Sequence, residues 1–252
     1  MIELKFLKSL GSKEGRKALL KGEGLQGVYL ISLRDQNTMV VPLDKIETAI
    51  IEYKGSRFYL EVPNYSYIFS VYNDWPFDKL RFTDVVLDIG ANIGAFSIPA
   101  SRLVSSVYAV EPVTYDLLIK NIKLNIVTKL HTIQAGLGRI SGPSGSFKWA
   151  GSEVRSRSFS LSGLKGYIGK DIDFLKIDCE GDEWWIDPEE FRGIRVISGE
   201  CHIWTSRQRE MSRWKEWLDW FTGNGYSVSI RQSYKYEWKF IAESLKGMAW
   251  QS

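Results

Sequence analysis

Val85-Val86-Leu87-Asp88-Ile89-Gly90-Ala91-Asn92-Ile93-Gly94 joins a short apolar run to a turn with two glycines, and one helix-length segment later comes Val107-Tyr108-Ala109-Val110-Glu111-Pro112. This is the sequence pattern of a strand, loop, helix and strand that together hold a nucleoside. Gly90 and Gly94 allow a tight turn and leave no Cβ between backbone and ligand, so a nucleoside is expected to fill the space beside Gly90. An acid closing the second strand, here Glu111, can accept hydrogen bonds from both hydroxyls of a ribose. The expected ligand is an adenosine-containing cofactor.

The glycine spacing narrows that ligand. A dinucleotide fold needs G-x-G-x-x-G to seat a pyrophosphate on a helix N-terminus, whereas this chain has G-x-x-x-G with Asn92 inside it. Asp88 adds a carboxylate near the loop, expected to repel a pyrophosphate and to attract the ammonium and sulfonium of S-adenosylmethionine. The residues assigned to the cofactor are Asp88, Gly90, Ala91, Asn92, Gly94, Glu111 and Pro112, with Gln134 and Ala135 at the adenine edge. A side-chain amide at Gln134 can bond the exocyclic amine. The competing reading is an ordinary strand-to-helix turn capped by Asn92, and Glu111 at the expected distance weighs against it.

With 252 residues and 44% hydrophobic content, the chain can bury one sizeable core, or one core and a small appendage. It contains no run of about eighteen uncharged apolar residues, and Met1-Ile2-Glu3-Leu4-Lys5 is unlike a signal-peptide apolar region. A soluble, cytoplasmic protein with no membrane span is expected. Cys179 and Cys201 are too few for a disulfide framework. A net charge of +3 does not argue for a nucleic-acid partner, and the basic clusters from Lys13 to Lys21 and at Arg155 and Arg157 read as solvated faces.

From Val85 onward, strand-like and helix-like segments alternate, which predicts an α/β fold: a Rossmann-like, doubly wound, mostly parallel sheet. The expected strands are Val85 to Asp88, Val107 to Val110, His131 to Ala135, Asp173 to Asp178 and Arg195 to Cys201. Helices are expected from about Ala95 to Leu103 and from Thr114, as N-cap, to Asn125. Gly138 to Ser162, rich in Gly and Ser, reads as a hairpin or mobile loop. Ser206 to Phe221 reads as a helix with Met211, Trp214, Leu218 and Phe221 inward and Trp220 at its boundary. Tyr226 to Ile230 and Tyr236 to Ala242 read as a closing antiparallel hairpin. Residues 1–80 form a small β-rich extension, with strands near Val28 to Leu33, Ala49 to Tyr53, Arg57 to Val62 and Tyr67 to Val71, and residues 81–252 form the main domain.

Three segments taken in order resemble the FkbM-type family of S-adenosylmethionine-dependent methyltransferases. They are Asp88 to Gly94 with Glu111-Pro112; Asp173-Phe174-Leu175-Lys176-Ile177-Asp178-Cys179-Glu180-Gly181-Asp182-Glu183; and Glu200-Cys201-His202. The resemblance covers about residues 45 to 203. It implies a class I methyltransferase fold and methyl transfer, usually to a hydroxyl of a sugar or secondary metabolite. The chain departs from the family at Ser160-Leu161-Ser162, where a leucine-aspartate pair is common.

Methyl transfer to an alcohol needs alignment of donor and acceptor, and a base for the hydroxyl proton. In a doubly wound sheet the reactive groups lie at the carboxyl ends of the strands, which brings Asp178, Glu180 and Glu183 beside Glu200 and His202. His202 is the first candidate base because an ordinary imidazole titrates near neutrality. Glu180 is an alternative base, and Asp178 is either a base or a partner of the cofactor's amino group. The same carboxylates with His202 are a possible divalent-metal site, which is not favoured because acids at a helix N-terminus need no metal. Two other functions compete with a small-molecule or glycan acceptor. One is RNA methylation, since Phe96 to Ala100 and Asn121 to Asn125 look like segments of tRNA guanosine methyltransferases and Arg155, Arg157, Arg207, Arg209 and Arg213 can meet phosphates. The other is a noncatalytic cofactor-binding scaffold. The sequence gives no oligomeric state.

Overall fold

The computed structural model describes residues 22–25, 28–32, 38–42, 48–53, 55–61, 75–149, 152–203, 207–234 and 237–247. The chain opens with β1 (Gly22–Leu25), β2 (Val28–Ser32), β3 (Thr38–Pro42), β4 (Thr48–Tyr53) and β5 (Ser56–Glu61), an antiparallel sheet ordered as in the chain. Next come β6 (Val85–Ile89), α1 (Ser97–Ala100), β7 (Ser106–Val110), α2 (Tyr115–Asn125) and β8 (Leu130–Ile133). An insertion follows, with β9 (Ala135–Leu137), β10 (Gly142–Trp149), β11 (Ser152–Phe159) and α3 (Leu161–Ile168). The remainder is β12 (Phe174–Ile177), β13 (Val196–His202), α4 (Arg207–Gly223), β14 (Tyr226–Tyr234) and β15 (Glu237–Ser244).

The main sheet is ordered β14-β15-β13-β12-β6-β7-β8. Strands β8, β7, β6, β12 and β13 are parallel, and β15 and β14 close one edge antiparallel. This is a Rossmann-like α/β fold, as the alternating segments predict. After β6 the chain moves outward to β7 and β8, then returns to place β12 on the other side of β6. The crevice above the neighbouring ends of β6 and β12 is therefore the switch point at which such sheets bind ligands.

Strands buried on both faces explain the near-continuous apolar runs. On one face Val86, Val107, Phe174 and Val196 pack with Phe96, which precedes α1, with Ala100 of α1 and with Trp75. On the other, Leu87, Leu175, Ile177 and Ile197 meet Trp214, Trp217 and Phe221 of α4. Trp217 is fully buried, and a large aromatic removed from water contributes about 4–6 kcal/mol of transfer free energy. Trp75 belongs to this core, and Lys79 reaches across to Glu243 at 2.8 Å.

Several expectations need correction. The helix expected over Ala95 to Leu103 is α-helical only at Ser97–Ala100. Pro99 has no N–H to donate, and the turn tightens after it, with Arg102 N–H bonded to the Pro99 carbonyl and Leu103 N–H to that of Ala100. The strand expected over His131 to Ala135 divides at Gln134. Ile133 pairs with Val110, the last residue of β7, so the next residues find a partner only in β11, and β9 joins a separate sheet ordered β10-β11-β9. The Gly/Ser-rich insertion is a hairpin, and α3 was not anticipated. In α4, Met211 is 43% exposed while Trp217 is fully buried, so the inner stripe runs through Trp214, Trp217 and Phe221. Trp220 is packed on Phe191 and Tyr226, and its indole N–H bonds Glu189 at 2.8 Å.

The N-terminal segment is β-rich as expected, with β1 and β3 in addition to the expected strands. The expected strand Tyr67 to Val71 and the polar start of the chain lie outside the described residues. No helix among the described residues is long and apolar enough to cross a membrane.

Candidate active site

The turn after β6 is built from backbone requirements. Gly90 and Gly94 have φ of +76° and +89°, and Asn92 lies at +50°, a region that asparagine tolerates better than most residues. The N–H groups of Gly90 and Ala91 both bond the Val110 carbonyl at 3.0 Å, tying the turn to the end of β7. A Cβ on Gly90 would stand 1.7 Å from the Asp178 carbonyl oxygen. Gly90 is thus required first by the loop after β12, which corrects the expectation that a nucleoside alone fills the space beside it.

Glu111 organises the same turn. Its carboxylate accepts from Asn92 N–H at 2.8 Å, Val113 N–H at 2.6 Å and Thr114 N–H at 2.9 Å. Burial raises its pKa, against the pull of these backbone donors. A carboxylate offers about four acceptor directions, so three backbone bonds leave room for one ribose hydroxyl rather than two. Thr114 stands at the start of α2, yet its hydroxyl bonds the Asn92 side chain at 3.0 Å and does not cap the helix.

Asp88 does not face the cleft. It is fully buried beneath the turn, paired with Lys176 Nζ at 3.0 Å and bonded by the Ser97 hydroxyl. Lys176 also donates to the Gly90 carbonyl at 2.6 Å and lies 4.9 Å from the Trp75 ring centre. Burial opposes the charge on Lys176, but Asp88 and Asp178 outweigh it and raise its pKa. The charge of Asp88 is neutralised from inside, so its expected attraction for a cationic ligand is corrected to a supporting role under the turn.

A cleft opens above this frame, bordered by Gly90, Asn92, Glu111, Pro112 and the loop after β12. Its far end is apolar, with Val110, Ala135, Leu137 and Phe147. Phe147 comes from β10 and lies so close over Gly136 that a Cβ there would meet the ring at 2.2 Å. Gln134 is exposed and does not border the cleft; only its carbonyl is engaged, by the Ser156 hydroxyl at 3.1 Å. Strand alternation turns Ala135 inward and Gln134 outward, which corrects the amide–adenine contact expected for Gln134. Sequence reasoning missed Phe147 and Lys148 because the insertion carries no local signal of where its hairpin lands.

The opposite end is acidic. Asp178, Glu180 and Asp182 border the cleft, with Glu180 and Gly181 at φ of +58° and +106°. Glu183 is buried and turns away to His202, accepting from its backbone N–H at 2.7 Å and from its Nδ1 at 3.0 Å. The other Glu183 oxygen accepts from Gly181 N–H at 2.8 Å. His202, 2% exposed, then directs Nε2 toward Asp178 at 3.9 Å and Glu180 at 3.8 Å. Glu200 is paired with Lys239 at 2.7 Å and bears on Asp178 through its charge.

These contacts displace the titrations. Burial penalises the charged ring of His202, but Glu183, Asp178 and Glu180 together raise its pKa to about 10. Burial raises Asp178 to about 7, with Glu200 and Glu180 adding to the rise and Lys176 and His202 opposing it. Burial lifts Asp182 to about 6. At neutral pH His202 is therefore an imidazolium and has no lone pair to accept a proton, which corrects its expected role as base. Asp178 titrates where a general base is most effective.

Asp178, Glu180 and His202 each offer one ligand atom, all within 4.8 Å of one another. The Nε2 separations of 3.8 and 3.9 Å lie within the roughly 3–5 Å spanned by pairs of ligands around one divalent ion. A proton on Nε2 would have to leave before the ring could bind a metal.

No family model matches this chain, and no curated protein matches it. Solved structures do resemble it. Trm5b from Pyrococcus abyssi is 15% identical with a TM-score of 0.47, over 82% of this chain and 58% of that one. TYW2 from M. jannaschii, in complex with AdoMet, is 19% identical with a TM-score of 0.48, over 82% of this chain and 91% of that one. Fibrillarin from Aeropyrum pernix, with natively bound S-adenosyl-L-methionine, is 13% identical with a TM-score of 0.46, over 89% of this chain and all of that one. The chain thus spans a little over half the length of the Trm5b it matches. At these identities and TM-scores the likeness carries no conclusion about this chain.

Proposed function

We propose that the protein is an S-adenosylmethionine-dependent methyltransferase, of FkbM type by its motifs, acting on a hydroxyl of a sugar or secondary metabolite. The observation that carries this reading is one cleft bordered by Glu111, by the apolar side chains of Val110, Ala135, Leu137 and Phe147, and by Asp178 and Glu180, with His202 beside the two acids at 3.9 and 3.8 Å. Ala135 and Phe147 would border the adenine and Glu111 would hold the ribose, with Gly90 and Asp178 bordering the rest of the cofactor. Free thiols at Cys179 and Cys201 suit a reducing cytoplasm.

When bound, the cofactor would supply an electrophilic methyl group to the acceptor oxygen and would leave as the neutral thioether. Asp178 takes the hydroxyl proton, or Glu180 does so in its place, while the imidazolium of His202 orients the receiving carboxylate. Asp178 can alternatively face the cofactor's ammonium, with Glu180 as the base.

RNA is the second acceptor class. The arginines expected to meet phosphates are largely engaged here: Arg213 bonds the Ile186 carbonyl at 2.8 Å, Arg209 lies over Trp185, and Arg157 lies over Phe159 and Tyr167. The acids at the cleft would also repel a polyanion. Transfer of label from methyl-tritiated cofactor to fractionated sugars, lipids and RNA tests the reading. Label in a hydroxylated small molecule or glycan is expected; label in RNA alone removes the acceptor assignment, and cofactor binding with no transfer to any fraction points to the noncatalytic module.

A further inference from the structure

Strand β5 is an edge strand: β4 pairs with one side of it, and its other side faces α2. An edge exposes backbone donors and acceptors that need partners. Here two asparagines of α2 supply them. Asn121 accepts from Tyr59 N–H at 2.6 Å and donates to the Tyr59 carbonyl at 3.3 Å, while Asn125 accepts from Arg57 N–H at 2.8 Å and donates to the Arg57 carbonyl at 2.5 Å. The fit has a simple geometric basis. Residues four apart on a helix rise about 6 Å, close to the roughly 6.6 Å between alternate residues of a strand. A carboxamide carries the donor and acceptor of a peptide group, so α2 imitates one more strand of the N-terminal sheet.

Asn121 differs from Asn125 in one respect. It is fully buried, and its amide also donates to the Ile93 carbonyl at 2.9 Å, inside the turn from Gly90 to Gly94. The neighbouring Asn92 N–H is the one bonded to Glu111. We infer that Asn121 is a positioning residue for the nucleoside turn, through which the docked N-terminal sheet holds that turn in its binding shape. The inference rests on the cofactor reading above and adds to it a dependence of cofactor affinity on the docking of β5. A buried asparagine that merely satisfied local backbone would stabilise the fold without a selective effect on the turn.

The test uses the full chain, with Asn121→Ala and Asn125→Ala compared by S-adenosylhomocysteine titration and by amide hydrogen exchange without ligand. Both variants are expected to speed exchange in β5. Asn121→Ala is expected to speed exchange at Asn92 to Gly94 as well and to weaken binding by roughly tenfold, with Asn125→Ala clearly closer to the native protein. Asn121→Ser serves the same comparison if the alanine chain fails to fold. Native-like affinity and turn exchange in the Asn121 variant would overturn the inference, as would equal losses in both variants alongside equal drops in melting temperature. Failure of the native protein to bind S-adenosylhomocysteine would instead remove the cofactor reading, while the exchange at the turn would still report whether β5 and the turn are coupled.

Discussion

The two ends of the cleft are made of similar residues put to different use. At the glycine turn the acids are consumed by the fold: Asp88 is paired with Lys176 below the backbone, and Glu111 accepts three backbone N–H groups. At the end of β12 the acids crowd one another around a single imidazole, and Asp178, Asp182 and His202 all titrate away from their ordinary values. Burial raises Glu111 as well, but its backbone donors oppose the rise, whereas at Asp178 neighbouring carboxylates add to it. In the proposed reading the first region is the binding frame and the second is where chemistry is expected.

The comparison can be broken most severely at Gly90. Gly90→Val is expected to abolish ligand binding and to cost more than about 3 kcal/mol of stability, because both its φ and the Asp178 carbonyl exclude a side chain. Denaturant unfolding with binding calorimetry checks this, and native stability with lost binding would restore a purely ligand-facing role. Asp178→Asn is expected to lower turnover by roughly a thousandfold. His202→Ala should lower it by roughly a hundredfold while S-adenosylhomocysteine affinity stays near native. If the His202 variant lost binding instead, the two regions would not be separable.

Smaller effects sharpen the division. Turnover is expected to rise with pH and level off above about 7, as Asp178 loses its proton. Glu180→Gln removes a like charge and should move that inflection to lower pH; an unmoved profile would assign it to another group. Stability gives a second pH signal. The folded pKa of His202, about 10, lies above its unfolded value, so its contribution is complete below about 6.5 and disappears as pH rises toward 10. Melting temperatures measured from pH 7 to 10 should therefore fall more steeply for the native protein than for His202→Gln, and parallel slopes would contradict the imidazolium.

Much of the frame was legible because its causes are local. Apolar runs at strand length, the glycine pair and the acid after β7 each follow from sterics or periodicity within a few residues, and α2 follows from its 3.6-residue pattern. The break between β8 and β9 was not legible, since it depends on where β7 ends and on β11 being at hand. Phe147 was missed for the same reason, its place over Gly136 being a matter of hairpin docking. Asn121 gave no local sign either, because its partners Tyr59 and Ile93 are 62 and 28 residues away.

By itself, the amino-acid sequence determined the mostly parallel α/β fold, the glycine turn and the strand ends on which acids collect, because backbone sterics and hydrophobic periodicity act over short stretches of chain. Only the tertiary structure decided which of those acids are neutralised, that His202 carries a proton and Asp178 is poised to take one, and that a helix side chain links the N-terminal sheet to the turn. Proton affinity and hydrogen-bond partnership are set by burial and by charges a few ångströms away in space, and those neighbours come from distant parts of the chain.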